Sequence, residues 1–241
     1  MTSALFLCED LSGDEVELTG PEGRHAATVR RVRVGERVDL ADGRGSRAHC
    51  TVLSLGQDAV RLRVDERLLE PEPAPRLVLV QALAKGDRGE LAVELATELG
   101  VDEVVPWQAE RCIVVWTGPR GEKALGRWRS TAREAGKQSR RARHPVVGPW
   151  VTTDELLARV AATPTLLLHE AASTPLASVP LPSSGDLLLV VGPEGGITDR
   201  ELAALTAAGG VPVRLGSSVV RTSTAGAAAV AVVSARTDRW A

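Results

Sequence analysis

The chain has 241 residues, 44% of them hydrophobic and 25% charged, and a formal net charge of −2 at pH 7. That composition excludes a disordered or fibrous polypeptide and suffices for one large or two modest domains with real cores. The slight acidity announces no bulk affinity for nucleic acid, and no apolar run reaches the roughly 20 residues that a membrane helix needs.

The opening apolar run, Ala4 to Cys8, is short and followed by Glu9 and Asp10, so it is not read as a signal peptide. Cys8, Cys50 and Cys112 are odd in number and far apart, which suggests reduced thiols in a cytoplasmic protein and neither a disulfide framework nor a zinc site. Residues 1 to about 70 read as all-β with one helical insert. Val38 and Leu40 alternate with Arg37 and Asp39, and Val60, Leu62 and Val64 alternate with Arg61, Arg63 and Asp65; this is the period-2 pattern of half-buried strands. Turns are marked at Gly35-Glu36, Asp42-Gly43-Arg44-Gly45 and Gly56-Gln57-Asp58. Between Gly23 and Val34 the alternation breaks, and His25 to Arg31 predicts one or two helical turns. Short strands with tight turns suggest a small barrel. Arg24, Arg30, Arg31 and Arg33 cluster around its insert, as an RNA-holding corner or as a solubilising one.

The proline-punctuated stretch LEPEPAP, Leu69 to Pro75, marks a boundary: residues 1–70 form the barrel, 71–75 a linker and 76–241 a second domain. Beyond it strand and helix alternate. Strands are expected at Leu77 to Leu83, from Val104-Val105, at Thr165 to Leu168, Leu187 to Val191 and Val211 to Leu215. Helices are expected at Gly89 to Leu99, with Leu91, Leu95 and Leu99 on one face, at Glu122 to about Lys137, at Asp154 to Ala161, and from Thr198, where Glu201 is placed to close a capping box. The Ala/Val-rich segment Thr224 to Ala235 is the last helix, a buried one or one that packs on another chain. Such alternation means an α/β fold with a mostly parallel sheet.

Two features carry chemistry. From Arg120 to His144 nine Lys or Arg stand against two Glu, a local charge of +7; the stretch reads as a phosphate footprint or as a solvated helix face. Three strands of the second half end in loops, at His169-Glu170, at Gly192-Pro193-Glu194-Gly195-Gly196, and at Gly216 to Arg221. Glycine lets backbone approach a ligand, and exposed amides and carbonyls then hold it, although one GPEGG also suits a tight structural turn. Neither a P-loop nor a dinucleotide fingerprint occurs.

GPEGG, followed by Leu215-Gly216 and Val219-Val220-Arg221-Thr222, resembles the SPOUT superfamily of RNA methyltransferases. Within it the chain is similar to the bacterial family that methylates ring nitrogen 3 of one uridine in 16S ribosomal RNA. His25 to Arg31, Lys85-Gly86-Asp87, Thr97 to Val101, Glu110-Arg111-Cys112, Gln138-Ser139-x-Arg141 and Leu168-His169-Glu170 extend the likeness, in order, over nearly the whole chain. The resemblance implies a PUA-like β-barrel, a C-terminal α/β domain with a deep trefoil knot, a homodimer, and a cytoplasmic enzyme acting on the small ribosomal subunit without a metal. It further implies S-adenosylmethionine, converted to S-adenosylhomocysteine, held by Leu168 and His169, by Gly192, Pro193, Glu194, Gly195 and Gly196, and by Leu215, Gly216, Val219, Val220 and Arg221. RNA would be gripped by Arg24, Arg30, Arg31, Lys85, Gln138, Arg140, Arg141 and Arg143. Two positions depart from the family pattern: Ser223 and Lys137 stand where the family commonly has Glu.

The reaction so implied displaces a sulfonium methyl by a uracil nitrogen between two carbonyl oxygens. A nearby cation would stabilise the charge that develops on those oxygens; Arg221 is the first candidate and Arg141 the second. No general base stands out. Two other readings remain open here, a SPOUT enzyme that methylates ribose 2′-hydroxyls of ribosomal or transfer RNA and a non-catalytic RNA-binding or assembly factor.

Overall fold

The computed structural model describes residues 3–240, and the chain divides into two units: residues 1–72 with 136–144, and residues 73–135 with 145–241. In the first unit the alternation of apolar and polar residues yields five strands, β1 (Ala4–Leu7), β2 (Glu15–Leu18), β3 (Arg37–Ala41), β4 (Ser46–Leu55) and β5 (Val60–Leu69). They form one sheet in the order β1-β3-β4-β5-β2, with β1 parallel to β3 and the remaining pairs antiparallel. Phe6, Val16, Leu18, Val38, Leu40, Cys50, Val52 and Leu62 turn inward and are almost wholly buried. Two irregularities in the β4–β5 pairing, at His49/Cys50 and Val52/Ser54, add the local twist that curls the sheet around this core.

The predicted insert is helix α1 (Gly20–Arg24), which runs on as a π-turn over His25–Val29 and ends at Arg31 with φ +52°. Arg24, Arg30 and Arg31 are exposed there, and Arg24 pairs with Asp58.

The segment 136–144 is sewn onto this unit. The Arg143 guanidinium donates to the carbonyls of Glu70 and Arg44, the Gly45 amide donates to Ala142 O, and the His144 amide to Gly43 O. Gly45 has φ +116°, and a Cβ there would stand 2.4 Å from the Arg143 Cζ, so the Asp42-to-Gly45 turn admits only glycine at its end. The Lys137 ammonium lies 2.5 Å from Glu22 Oε1, both side chains about 15% exposed, and the other Glu22 oxygen accepts the Leu7 amide.

The second unit alternates strand and helix: β6 (Arg76–Ala82), α2 (Arg88–Glu98), β7 (Glu103–Gln108), α3 (Gly118–Gln138, its last turn grouped with the first unit), β8 (Val146–Val147), β9 (Val151–Thr152), α4 (Thr153–Ala162), β10 (Thr165–Leu168), β11 (Asp186–Val191), α5 (Asp199–Ala207), β12 (Val211–Val213) and α6 (Thr222–Arg236). The sheet runs β12-β10-β11-β6-β7-β8, with β9 beside β7, and every pairing is parallel. A parallel sheet is covered on both faces, and its strands are therefore continuously apolar. Leu77, Leu79, Leu187 and Leu189 pack with α2, α3 and α6 on one side; Val78, Val80, Leu188 and Val190 pack with α4 and α5 on the other. Each such side chain stabilises the fold by about 1.5–3 kcal/mol.

Gly226 lets α6 lie close on the sheet, since a Cβ there would meet Leu79 at 2.8 Å. The small-residue helix is thus a core element, with Ala225, Ala227, Ala229, Val230 and Val233 buried. The expected face of α2 is corrected. Ala92, Val93 and Ala96 face the core, while Leu91 is 42% exposed, because α2 turns its Ala92, Val93 and Ala96 face to the sheet and to α6, against which it packs. Trp107, Trp116 and Trp128 are all buried, the last two edge to face at 5.2 Å. The chain's last turn, Asp238–Trp240, is fastened by Arg239. Its guanidinium pairs with Asp102 at 2.9 Å, the two side chains 5% and 8% exposed, and donates to the carbonyls of Pro75 and Gly100.

Candidate functional site

Three loops leave the same edge of the parallel sheet. After β10 the ladder continues one step, with the His169 amide donating to Val213 O at 2.9 Å. After β11 the chain turns at Gly192; a Cβ on this residue would lie 2.7 Å from Ile197 Cγ1, and Gly196 has φ +74°. The turn closes with Gly196 N–H on Pro193 O, and α5 then starts at the Thr198 cap with its box partner Glu201, as the spacing predicted. Glu201 is 1% exposed, yet its oxygens are satisfied by the amides of Thr198 and Glu110 and the hydroxyls of Thr198 and Thr153. One buried carboxylate therefore ties the glycine loop to the starts of two other segments.

The third loop, Arg214 to Arg221, delivers the first turn of α6 onto the second. The Thr222 hydroxyl donates to Gly192 O at 2.7 Å and accepts from the fully buried Gln81 amide at 3.0 Å. Glu194 faces the start of α2, where the Lys85 amide and the Arg88 guanidinium both donate to its Oε1 at 3.1 Å. Partial burial pushes the Glu194 carboxyl up, but the bonds from its own amide, Lys85 and Arg88 outweigh this and hold it below the usual carboxylate range. Arg111 donates to Gly195 O at 3.0 Å.

Between these loops lies a cavity of about 590 Å³, walled by Leu168 to Glu170, Val191 to Ile197 and Val219 to Thr222, with Arg88, Arg111, Asp199 and Ala225. A smaller one of about 70 Å³ lies between Leu168 to Glu170 and Arg214 to Val220. The larger volume suits a nucleotide-sized ligand. Its wall combines the Gly192-to-Gly196 turn and apolar residues with three arginines and three carboxylates. The lining offers backbone amides that can meet a base edge and guanidinium groups that can meet a carboxylate. Among the described residues no three His, Cys, Asp or Glu side chains converge as a metal site would require.

Leu168, His169, the five GPEGG residues and Val219 to Arg221 all line the larger cavity, and Leu215 and Gly216 line the smaller. Arg221 is exposed at the N-cap of α6. Arg141 belongs to the first unit and lines neither cavity. Lys85 contributes its amide to Glu194. Arg140 offers its carbonyl to Arg47, Gln138 is exposed, and the Arg143 guanidinium donates to the backbone carbonyls of Glu70 and Arg44 and staples the first unit. Of the two departures, Lys137 is matched by Glu22, and Ser223 is buried in the first turn of α6.

The sequence reading gave no role to Gln81, Arg88, Arg111, Glu170, Asp199 or Thr222. The signal for Gln81 was a lone amide inside an otherwise apolar strand; Arg111 and Glu170 stood in quoted stretches without a chemistry attached.

A model of an RNA methyltransferase domain matches residues 70–234, and one of an RNA methyltransferase PUA domain matches residues 18–65. Ribosomal RNA small subunit methyltransferase E of Mycobacterium bovis is 47% identical over 247 aligned residues, covering 100% of this chain and 94% of its own. The enzyme of that name from Bacillus subtilis is 31% identical, covering 92% of this chain and 90% of its own. Among solved structures, ribosomal RNA small subunit methyltransferase E of Neisseria gonorrhoeae bound to S-adenosyl methionine superposes with a TM-score of 0.88 at 29% identity, over 98% of both chains. A Legionella pneumophila putative methyltransferase with bound SAM superposes with a TM-score of 0.86 at 28% identity, over 98% of this chain and 99% of its own. A domain model spanning most of the chain and a relative matched along its full length show that this chain belongs to the ribosomal RNA small subunit methyltransferase E family.

Proposed function

We propose that the protein transfers a methyl group from S-adenosylmethionine to ring nitrogen 3 of a uridine in 16S ribosomal RNA. The observation that carries this reading is the convergence of three strand-end loops, one of them the Gly192-to-Gly196 turn, on one cavity of about 590 Å³, with Arg221 at its edge, in a chain of this family. The cofactor brings a methyl on a sulfonium whose departure needs no protonation. The protein is left to position, desolvate and stabilise charge. Backbone of Leu168 to His169, Gly192 to Gly196 and Leu215 to Val220 holds the cofactor; Glu194, Glu201 and the Gln81–Thr222 pair keep those loops in register. Arg221 neutralises charge that develops on the uracil oxygens.

The same reading takes these loops to be those of a trefoil knot. It assigns residues 1–70 to RNA binding, with Arg24, Arg30 and Arg31 on phosphates and Arg140, Arg141 and Gln138 extending the grip, and it places the reaction in the cytoplasm. It also makes the enzyme a homodimer, in which a second copy covers the exposed Ile113, Val115 and Val219. Light scattering at micromolar concentration checks the dimer. Radiolabelled cofactor with intact small subunits or naked RNA, followed by mapping of the methylated atom, tests the reaction. Label on a ribose hydroxyl would favour the 2′-O-methyltransferase reading instead.

A further inference from the structure

We propose that Glu170 is the proton acceptor of the methyl-transfer site, an assignment that rests on the uracil nitrogen 3 reading above. A uracil N3 lone pair is delocalised into two flanking carbonyls while the N–H is intact, so the nitrogen becomes a nucleophile as its proton leaves. Something in the cavity must take that proton.

The titratable groups on the cavity wall are three arginines, which do not give up their protons at neutral pH, and His169, Glu170, Glu194 and Asp199. His169 Nδ1 accepts the Ala171 amide at 3.3 Å; the neutral ring then carries its hydrogen on Nε2 and offers the cavity a donor. Both donors that reach the Glu194 carboxylate from the α2 side bind it as a brace. Asp199, in the first turn of α5, lines the larger cavity alone. Glu170 lines both cavities, as do Val219 and Val220, the residues that lead directly to Arg221. Its carboxylate is exposed and makes no hydrogen bond or ion pair with any described residue. Its backbone is nonetheless seated, between His169, held to β12, and Ala172, whose amide donates to His169 O. A free carboxylate on a fixed turn at the junction of the cavities is what proton removal beside Arg221 requires.

The step balances. The N3–H bond breaks and its proton passes to a Glu170 oxygen, directly or through one water. The electron pair left on N3 forms the bond to the methyl carbon. The carbon–sulfur bond breaks with its pair staying on sulfur, which changes from sulfonium to neutral thioether. Glu170 returns its proton to solvent.

The test uses the full chain with small subunits lacking the modification, and compares Glu170→Gln, Glu170→Asp and Asp199→Asn across pH 5.5–9.5. Glu170→Gln is expected to lower kcat by about 10²–10⁴-fold near pH 7, with S-adenosylhomocysteine affinity by calorimetry and the melting midpoint unchanged. Its residual rate should climb with pH as hydroxide replaces the base. Subunits assembled with 5-fluorouridine, whose N3 proton is more acidic, should recover much of the loss. Glu170→Asp should fall between. A Glu170→Gln enzyme with the wild-type rate and pH profile overturns the assignment. So does one that fails to bind the cofactor product, or the same signature appearing in Asp199→Asn instead. Absence of label at N3 with the unaltered protein refutes the proposed function itself, and the proposal for Glu170 falls with it.

Discussion

Arg239 offers the most direct test of how the second unit is held together. Its side chain and that of Asp102 are 5% and 8% exposed and 2.9 Å apart. The guanidinium also donates to the carbonyls of Pro75 and Gly100, and the Leu77 amide donates to the same Asp102 carboxylate. Replacing Arg239 by Met keeps much of the aliphatic bulk but leaves Asp102 as a buried charge without its guanidinium partner, together with two carbonyls that lose the guanidinium. Removing one partner of a buried pair costs about 3–5 kcal/mol. At about 2–4 °C per kcal/mol for a chain of this size, the expected fall in Tm is roughly 6–20 °C by circular dichroism. Trp240→Ala, a neighbour that is 52% exposed, should change Tm far less. Arg239→Met combined with Asp102→Asn should recover part of the loss, because the stranded charge is gone. A shift of only a degree or two in Arg239→Met would refute the reasoning and mean that the last turn contributes nothing to the stability of this unit.

Three further outcomes follow from the site and its scaffold. Arg221→Ala should reduce kcat/KM by about 10²–10³-fold, the scale for losing one donor to developing charge, with cofactor affinity within about twofold of wild type; a parallel collapse of affinity would make Arg221 a cofactor ligand. Thr222→Val removes the hydroxyl that both Gly192 O and the buried Gln81 amide use. The cost of about 1–3 kcal/mol per stranded group should appear as weaker cofactor binding by calorimetry, and Thr222→Ser should retain most of it. Burial pushes the Glu103 carboxyl up, but the bonds and charges of Arg159 and Arg76 outweigh this and hold it below its ordinary 4.5. The stability it supplies is therefore complete above pH 4.5 and lost as the pH falls through the lower folded value. Urea midpoints measured from pH 6 down to pH 3 should drop less steeply for Glu103→Gln than for the wild type, and identical slopes would count against the network.

Much of the second unit was legible because its signals are local. The Thr198–Glu201 box announces α5 three residues ahead, and the apolar run Thr165 to Leu168 is the strand as observed. The loops of the site were readable for the same reason, each being a glycine or polar stop after an apolar run. What was hidden depends on partners far along the chain. Leu91, Leu95 and Leu99 are the larger apolar side chains of α2, yet Ala92, Val93 and Ala96 take the buried positions where α2 packs against α6, a helix more than 120 residues further on. Nothing near Arg143 in sequence reveals that Glu70 and Arg44 will consume its donors. Gln81 reads as an interruption of a strand until Thr222, 141 residues away, is placed on it.

The Lys137–Glu22 pair carries a consequence for the history of the chain. A Glu at position 137 would stand against Glu22 at the separation that Lys137 now occupies, and two carboxylates that close and largely buried repel strongly. The two positions are therefore expected to drift together, Lys at one favouring an acid at the other. In an alignment the pair should emerge as a coupled column with its charges exchanged between branches, and a chimera that joins residues 1–72 of one branch to the remainder of another should inherit a clash at this point.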